Sequence, residues 1–175
     1  MKNFAILTSI LLMAGCFTAP KNKDFTGEGK FDNKGCPTGT WTLYHAANNA
    51  LMGKGEFVEG NPDGEWIIYD SAGAKIAELE FDKGKLSGIY RLFYGSFAYK
   101  NATGKLKTMG EAKNGILVGR FIRYAPDGSV VVDYTSDRKN ILETRFGSKF
   151  EAKNQHRADV EYLKLISSIM NEATE

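Results

Sequence analysis

Few residues in this 175-residue chain have chemistry to offer, and most of them stand apart from one another. Histidine could hold a metal or move a proton, yet neither His45 nor His156 has a cysteine or second histidine at ligand spacing. Both are expected at the surface. No nucleophile elbow, phosphate loop or zinc-binding helix occurs. Gly84 and Gly88 share the spacing of a membrane-helix contact motif, but Lys85 and Ser87 between them belong to a turn. The expectation is therefore no catalytic residue, no metal and no cofactor. Cys16 is the exception, because of what precedes it.

Residues 1–15 read as a targeting segment. Lys2 supplies a positive start, Phe4 to Met13 an apolar run, and Ala14-Gly15 two small residues before Cys16. The run is about half the ~20 residues a spanning helix needs. A plain secretory signal fits the charge and the apolar run equally well. The cysteine decides: LMAGC resembles a bacterial lipobox, with Met13 where leucine is usual. That resemblance implies diacylglyceryl attachment at the Cys16 sulfur, cleavage before it and acylation of the new amino group. One acyl chain anchors weakly, whereas two or three attach a protein to the membrane for good. Phe17 follows Cys16 where an aspartate would retain an enteric-type lipoprotein. The expected address is thus the periplasmic face of an outer membrane, where the cell has one. Residues 16–24 would be the lipidated cysteine and a short tether. Lipid on Cys16 would leave Cys36 as the only thiol, so no disulfide is expected within the chain. Cys36 then reads as a loop thiol or a bridge between chains.

Lysine and arginine number 23 against 21 acids. That balance argues against a nucleic acid partner, which favours a concentrated basic face. Asn101-Ala102-Thr103 matches a glycosylation sequon but reads as coincidence in an exported bacterial chain.

The organisation is set by a phrase spelled four times: glycine, three residues, glycine, one residue, an aromatic, two residues, an aromatic. The second glycine and the two aromatics are Gly39-Trp41-Tyr44, Gly64-Trp66-Tyr69, Gly88-Tyr90-Phe93 and Gly119-Phe121-Tyr124. Constant inner spacing with a longer third interval is the mark of a tandem structural repeat. Each aromatic stretch alternates as a strand, so an offset of three sends its two aromatics to opposite faces unless a bulge intervenes. Turn residues such as Asp70-Ser71-Ala72-Gly73 follow, and a second strand returns. Gly29, Gly55 and Gly110 on the return strands leave room for the next strand's aromatic to lie flat. Every unit is then a β-hairpin of roughly 24 residues, and the array an antiparallel meander from about Gly27 to Phe146.

This pattern, over about residues 27–137, resembles the MORN repeat (membrane occupation and recognition nexus) in its bacterial variant form. The resemblance implies an elongated hairpin sheet used for protein or lipid contact and no catalysis. The first copy departs from it with Asn48-Asn49 in place of the turn glycine. The third departs by an insertion, Tyr94 to Thr103. Two readings of that insertion stay open: longer strands with Tyr94 and Phe97 packed inward, or a protruding tip on which Tyr94, Phe97 and Tyr99 meet a partner.

One acidic column runs through the repeats. Glu56, Glu80, Glu111 and Asp133 each stand just before the aromatic position of a return strand, with Lys30 at the N-terminal end. Strands two steps apart lie ~10 Å from one another, too far to share a metal ion. The column reads as a solvated face or as a stripe that meets a basic partner.

Past residue 147 the phrase stops. Ser148 and Glu151 fit a capping box, and Ala158, Tyr162, Leu165, Ile166 and Ile169 mark one face of a helix, which Leu163 and Met170 widen. That helix, over 148–175, would cap the sheet, meet a partner or dimerise the chain. The fold class expected is mainly β, a meander of hairpins over 25–147 with a C-terminal helix. The functional expectation is a non-enzymatic, lipid-anchored envelope protein that binds an unidentified partner protein, in the manner of an immunity or antitoxin protein. A scaffold or spacer without a single partner is the alternative, and an envelope enzyme a remote one.

Overall fold

Gly64 shows how the repeat makes its sheet. Its φ of 67° is a left-handed conformation that few side chains tolerate, and with it β4 gains two residues on β3: Lys54 faces Ile67, but Glu56 faces Asp63. The surplus lets Trp66 fold back over Gly55, where a methyl group would overlap the indole ring. The indole N–H then donates to the Glu56 carbonyl at 3.0 Å. The same surplus lies opposite Gly29 and Gly110, with Trp41 and Phe121 in the place of Trp66.

The structure is a computed structural model that describes residues 25–97, 100–137 and 140–172. The leader, Cys16, the tether and Tyr99 lie outside the described residues. Eleven strands form one antiparallel sheet: β1 (Phe25–Phe31), β2 (Pro37–His45), β3 (Leu51–Val58), β4 (Asn61–Tyr69), β5 (Lys75–Asp82), β6 (Lys85–Leu86), β7 (Gly88–Phe93), β8 (Leu106–Lys113), β9 (Ile116–Tyr124), β10 (Val130–Asp137) and β11 (Asn140–Phe146). They pair in chain order, with β6 a short lead-in to β7 that also pairs with β5. The expected meander is therefore the observed fold, open at β1 and at β11. Asn49 adopts a φ of 55° and takes the place of the missing turn glycine.

A second irregularity recurs just before each outer aromatic. Met52, Ile76, Lys107 and Val131 are each an extra residue on the return strand, opposite Tyr44, Tyr69, Phe93 and Tyr124. Such bulges raise local twist and re-aim side chains. The first aromatic of each pair (Trp41, Trp66, Tyr90, Phe121) is buried on the inner face. The second is half-buried on the outer face. Inner rings touch edge to face along the array: Trp41 to Phe57 at 5.8 Å and Phe57 to Trp66 at 5.0 Å.

Helix α1 (Lys149–Glu172) starts at the expected capping box: the Ser148 amide donates to Glu151 at 2.7 Å, and the Glu151 amide donates to Ser148 Oγ at 3.2 Å. It packs over the inner face against β10, β11 and β4. Its phase corrects the expectation. Leu163 and Ile166 are buried as expected, but the other buried positions are Ala152, His156 and Asp159, whereas Leu165, Tyr162 and Ala158 are exposed. The helix is rotated because His156 and Asp159 find hydroxyl partners on the sheet, which makes a polar stripe the better fit. Among the described residues no helix is long and apolar enough to cross a membrane.

The insertion follows neither open reading as a whole. β7 stops at Phe93, and a 3-10 turn over Lys100–Ala102 leads towards β8. Tyr94 is buried at 3% exposure and donates to the Tyr124 carbonyl at 2.7 Å. Phe97 stands out at 75%. Cys36 also departs from expectation: it is buried in the β1–β2 turn and disulfide-bonded, not a lone thiol.

Candidate functional site

The outer face is where side chains remain available to another molecule. On it the acidic column is partly realised. Glu56, Glu80 and Glu111 are exposed. The Glu80 carboxylate lies across Gly88, and Glu111 lies across Gly119, both in the space a β-carbon would fill. Thus Gly88 and Gly119, which open the third and fourth repeats, also seat an acid of the preceding return strand, whereas the space at Gly39 and Gly64 is open.

Asp133 leaves the column. It is buried and clamped by Arg120, whose Nε and Nη2 donate at 3.0 and 2.6 Å, with Arg145 at 3.7 Å. The Arg120 fork holds its carboxyl below the usual range against the opposing effect of burial. Register explains this: Asp133 faces Ile122 and Phe146, so Arg120, two residues from Ile122 on β9, and Arg145, next to Phe146 on β11, close over it.

Register also adds an acid that spacing alone did not reveal. Glu65 on β4 is directly opposite Glu80 on β5. Both are exposed, and neither carboxylate has a hydrogen bond or ion pair among the described residues. Glu78, one step along, is neutralised by Lys75 at 2.6 Å and Arg91 at 3.5 Å. The opposed pair borders a cleft of about 420 Å³ lined by Ile67, Leu79, Ile89 and Arg91 as well. Ile89 is among the large apolar side chains left exposed. The cleft therefore offers two unneutralised carboxylates beside the apolar side chains of Ile67 and Ile89.

The outer aromatics frame this face. Tyr44 donates to Glu28 at 3.3 Å, and the Lys75 ammonium sits 4.4 Å above the Phe93 ring. Of the residues proposed for an aromatic tip, Tyr94 is core and Phe97 is exposed, while Tyr99 lies outside the described residues. The base of the tip is held by Asp70. Burial raises the cost of its charge, but amides of Ser96 (2.7 Å), Ala74 (2.9 Å) and Ala72 (3.1 Å) outweigh that and keep it ionised below its usual range.

Beneath α1 lies a polar seam that sequence reasoning missed. The Tyr90 hydroxyl donates to Asp159 at 3.3 Å, Gln155 Nε2 donates to Asp159 at 2.6 Å, and Tyr134 lies 3.5 Å from His156 Nδ1. His156 packs edge-on to Phe121 with ring centres 5.4 Å apart. It is buried, contrary to the expected surface position; His45 is half-buried, its Nε2 3.0 Å from the Tyr69 carbonyl of the next hairpin. Burial pushes the Asp159 carboxyl up to about 6, against its hydrogen bonds and the cations Arg123 and Lys107. With Tyr90, Tyr134, His156 and Asp159 all buried, a substrate would reach these groups only if the helix left. Their evident work is to seat the helix.

Among the described residues no three histidine, cysteine or acidic side chains come close enough to hold a metal. No protein-family model matches this chain, and no curated protein is significantly similar to it.

Proposed function

We propose that this chain is an exported, non-enzymatic binding protein that takes a basic partner protein on the outer face of its sheet. The observation that carries this reading is the direct opposition of Glu65 and Glu80 beside a cleft that Ile67 and Ile89 help to line. Like charges opposite one another on a sheet weaken it. A lysine or arginine inserted between them would remove that repulsion, and Ile67 and Ile89 would take the apolar part of the same side chain. Complementary charge of this kind fixes register and speeds encounter. Glu56 and Glu111, on flanking strands, extend the same sign across the face.

The test uses a photo-crosslinking residue at Ile89 in the producing cells. One dominant adduct is expected, as a neutralising or immunity-type protein requires. Glu65→Gln with Glu80→Gln should reduce that adduct about tenfold and leave the melting temperature unchanged or raised. A spread of abundant envelope components would favour the spacer reading. An adduct indifferent to both glutamates would remove the basic partner from this face.

The anchor has its own test. A thioether on Cys16 and a disulfide through Cys16 exclude each other, since one sulfur cannot form both. Peptide mass analysis of the mature protein should find Cys36 in a disulfide-linked peptide, as in other exported proteins held by a disulfide. Cys16 at the N-terminus carrying diacylglycerol, with Cys36 reduced, would overturn this and establish the lipid anchor that the leader implies.

A further inference from the structure

The sheet ends at β11, and the far side of that strand pairs with nothing among the described residues. A free edge is a template for another strand, and proteins usually blunt it with lysine, proline or bulges. β11 has two register shifts against β10 but neither lysine nor proline. It presents Leu142 at 60% and Phe146 at 55% exposure, and Phe150 stands exposed in the first turn of α1. Its central residues, Leu142-Glu143-Thr144-Arg145-Phe146, are chemically symmetric about Thr144.

We propose that β11 pairs antiparallel with β11 of a second copy of this chain, about a two-fold axis through Thr144. Leu142 then faces Phe146 of the partner subunit, Glu143 faces Arg145 of the partner subunit, and Thr144 faces its own copy. Apolar, opposite-charge and threonine pairs are each favourable across strands. Neighbouring registers lose this. An axis at Glu143 sets that carboxylate against its own copy, and one at Arg145 opposes two guanidinium groups. The charged pair is already prepared, since Arg145 Nη2 donates to Glu143 of the same strand at 2.6 Å and both remain exposed. Such an interface is isologous and closed: it uses up both β11 edges and stops at two copies. It does not involve Glu65 or Glu80 and stands apart from the outer-face reading.

The test is the mass of the mature chain in mild detergent, by light scattering over a dilution series. A dimer is expected. Glu143→Arg should weaken it about tenfold, and Glu143→Asp, which keeps the charge, should leave it intact. Melting temperatures show that each variant is folded. As a second route, Thr144→Cys should yield a covalent dimer on oxidation that the parent chain does not. A monomer at every concentration, a dimer blind to charge reversal, or an open-ended polymer built through the β1 edge would each overturn the proposal.

Discussion

Trp66→Ala is expected to lower stability by about 3–5 kcal/mol, the largest loss from any single substitution in the array. The ring is fully buried at the centre of the sheet, lies flat on Gly55, meets Phe57 edge-on and donates to a main-chain carbonyl. Removing it opens a cavity that the bulged backbone cannot collapse to fill, and strands the Glu56 carbonyl. Domains of this size are stable by about 5–15 kcal/mol in total. Chemical denaturation read by tryptophan-independent circular dichroism would measure the loss. A change below about 1 kcal/mol would show that the inner face has been assigned to the wrong side of the sheet.

Asp159→Asn is expected to act in the opposite direction, stabilising the protein at pH 7 by up to about 3 kcal/mol. The folded carboxyl titrates at about 6, against 3.8 ordinarily. Between those values the folded chain holds a proton that the unfolded chain has released. Stability therefore falls as pH rises from about 4 to about 6 and then stays at its lower level. Asparagine has no proton to lose. It still accepts from Tyr90, and Gln155 can turn its amide to match. Lys107 and Arg123 would lose a counter-charge, so the full gain is an upper bound. Denaturation at pH 4.5 and 7.5 checks both parts. The idea fails if the parent chain is equally stable at the two, or if the variant is the weaker at pH 7.5.

What could be read from the residues was what each repeat decides within itself. A left-handed glycine, an aromatic two residues on and a small residue on the preceding strand are local demands, so Gly64, Trp66 and Gly55 announced both the hairpins and the buried face. Asn48-Asn49 read only as a departure from the turn glycine; it is the structure that shows Asn49 in the left-handed conformation, which asparagine tolerates. Strand alternation put Glu56, Glu80 and Glu111 on the solvent side. What was not legible depends on register between strands. The burial of Asp133 needs Arg120 and Arg145 to fall beside it, and the confrontation of Glu65 with Glu80 needs β4 and β5 aligned. The helix was misphased for a related reason. Apolar periodicity favoured the stripe with Leu165 and Tyr162, whereas the sheet offered two buried hydroxyls that select His156 and Asp159. Only the facing surface holds that information. The signal that could have found it is the run 152, 156, 159, 163, 166, which keeps helical spacing if the two polar residues count as inward.

The pairing of every strand with its sequence neighbour bears on how the chain comes to be folded. Closing one hairpin brings together residues only a short loop apart, so little entropy is lost before contacts form. The array can start at any hairpin and lengthen from there, and the N-terminal hairpins can form while the rest is still being synthesised. Helix α1 is the exception. The hydrogen bond between Asp159 and Tyr90 spans 69 residues, so the cap must wait for strands made long before it. Until it docks, Phe121 and Tyr134 are left facing water, and the half-built chain carries an apolar face as well as two open edges. Seating the cap is thus the step that ends the vulnerable period, and the carboxylate that has to be buried with it is the one that resists.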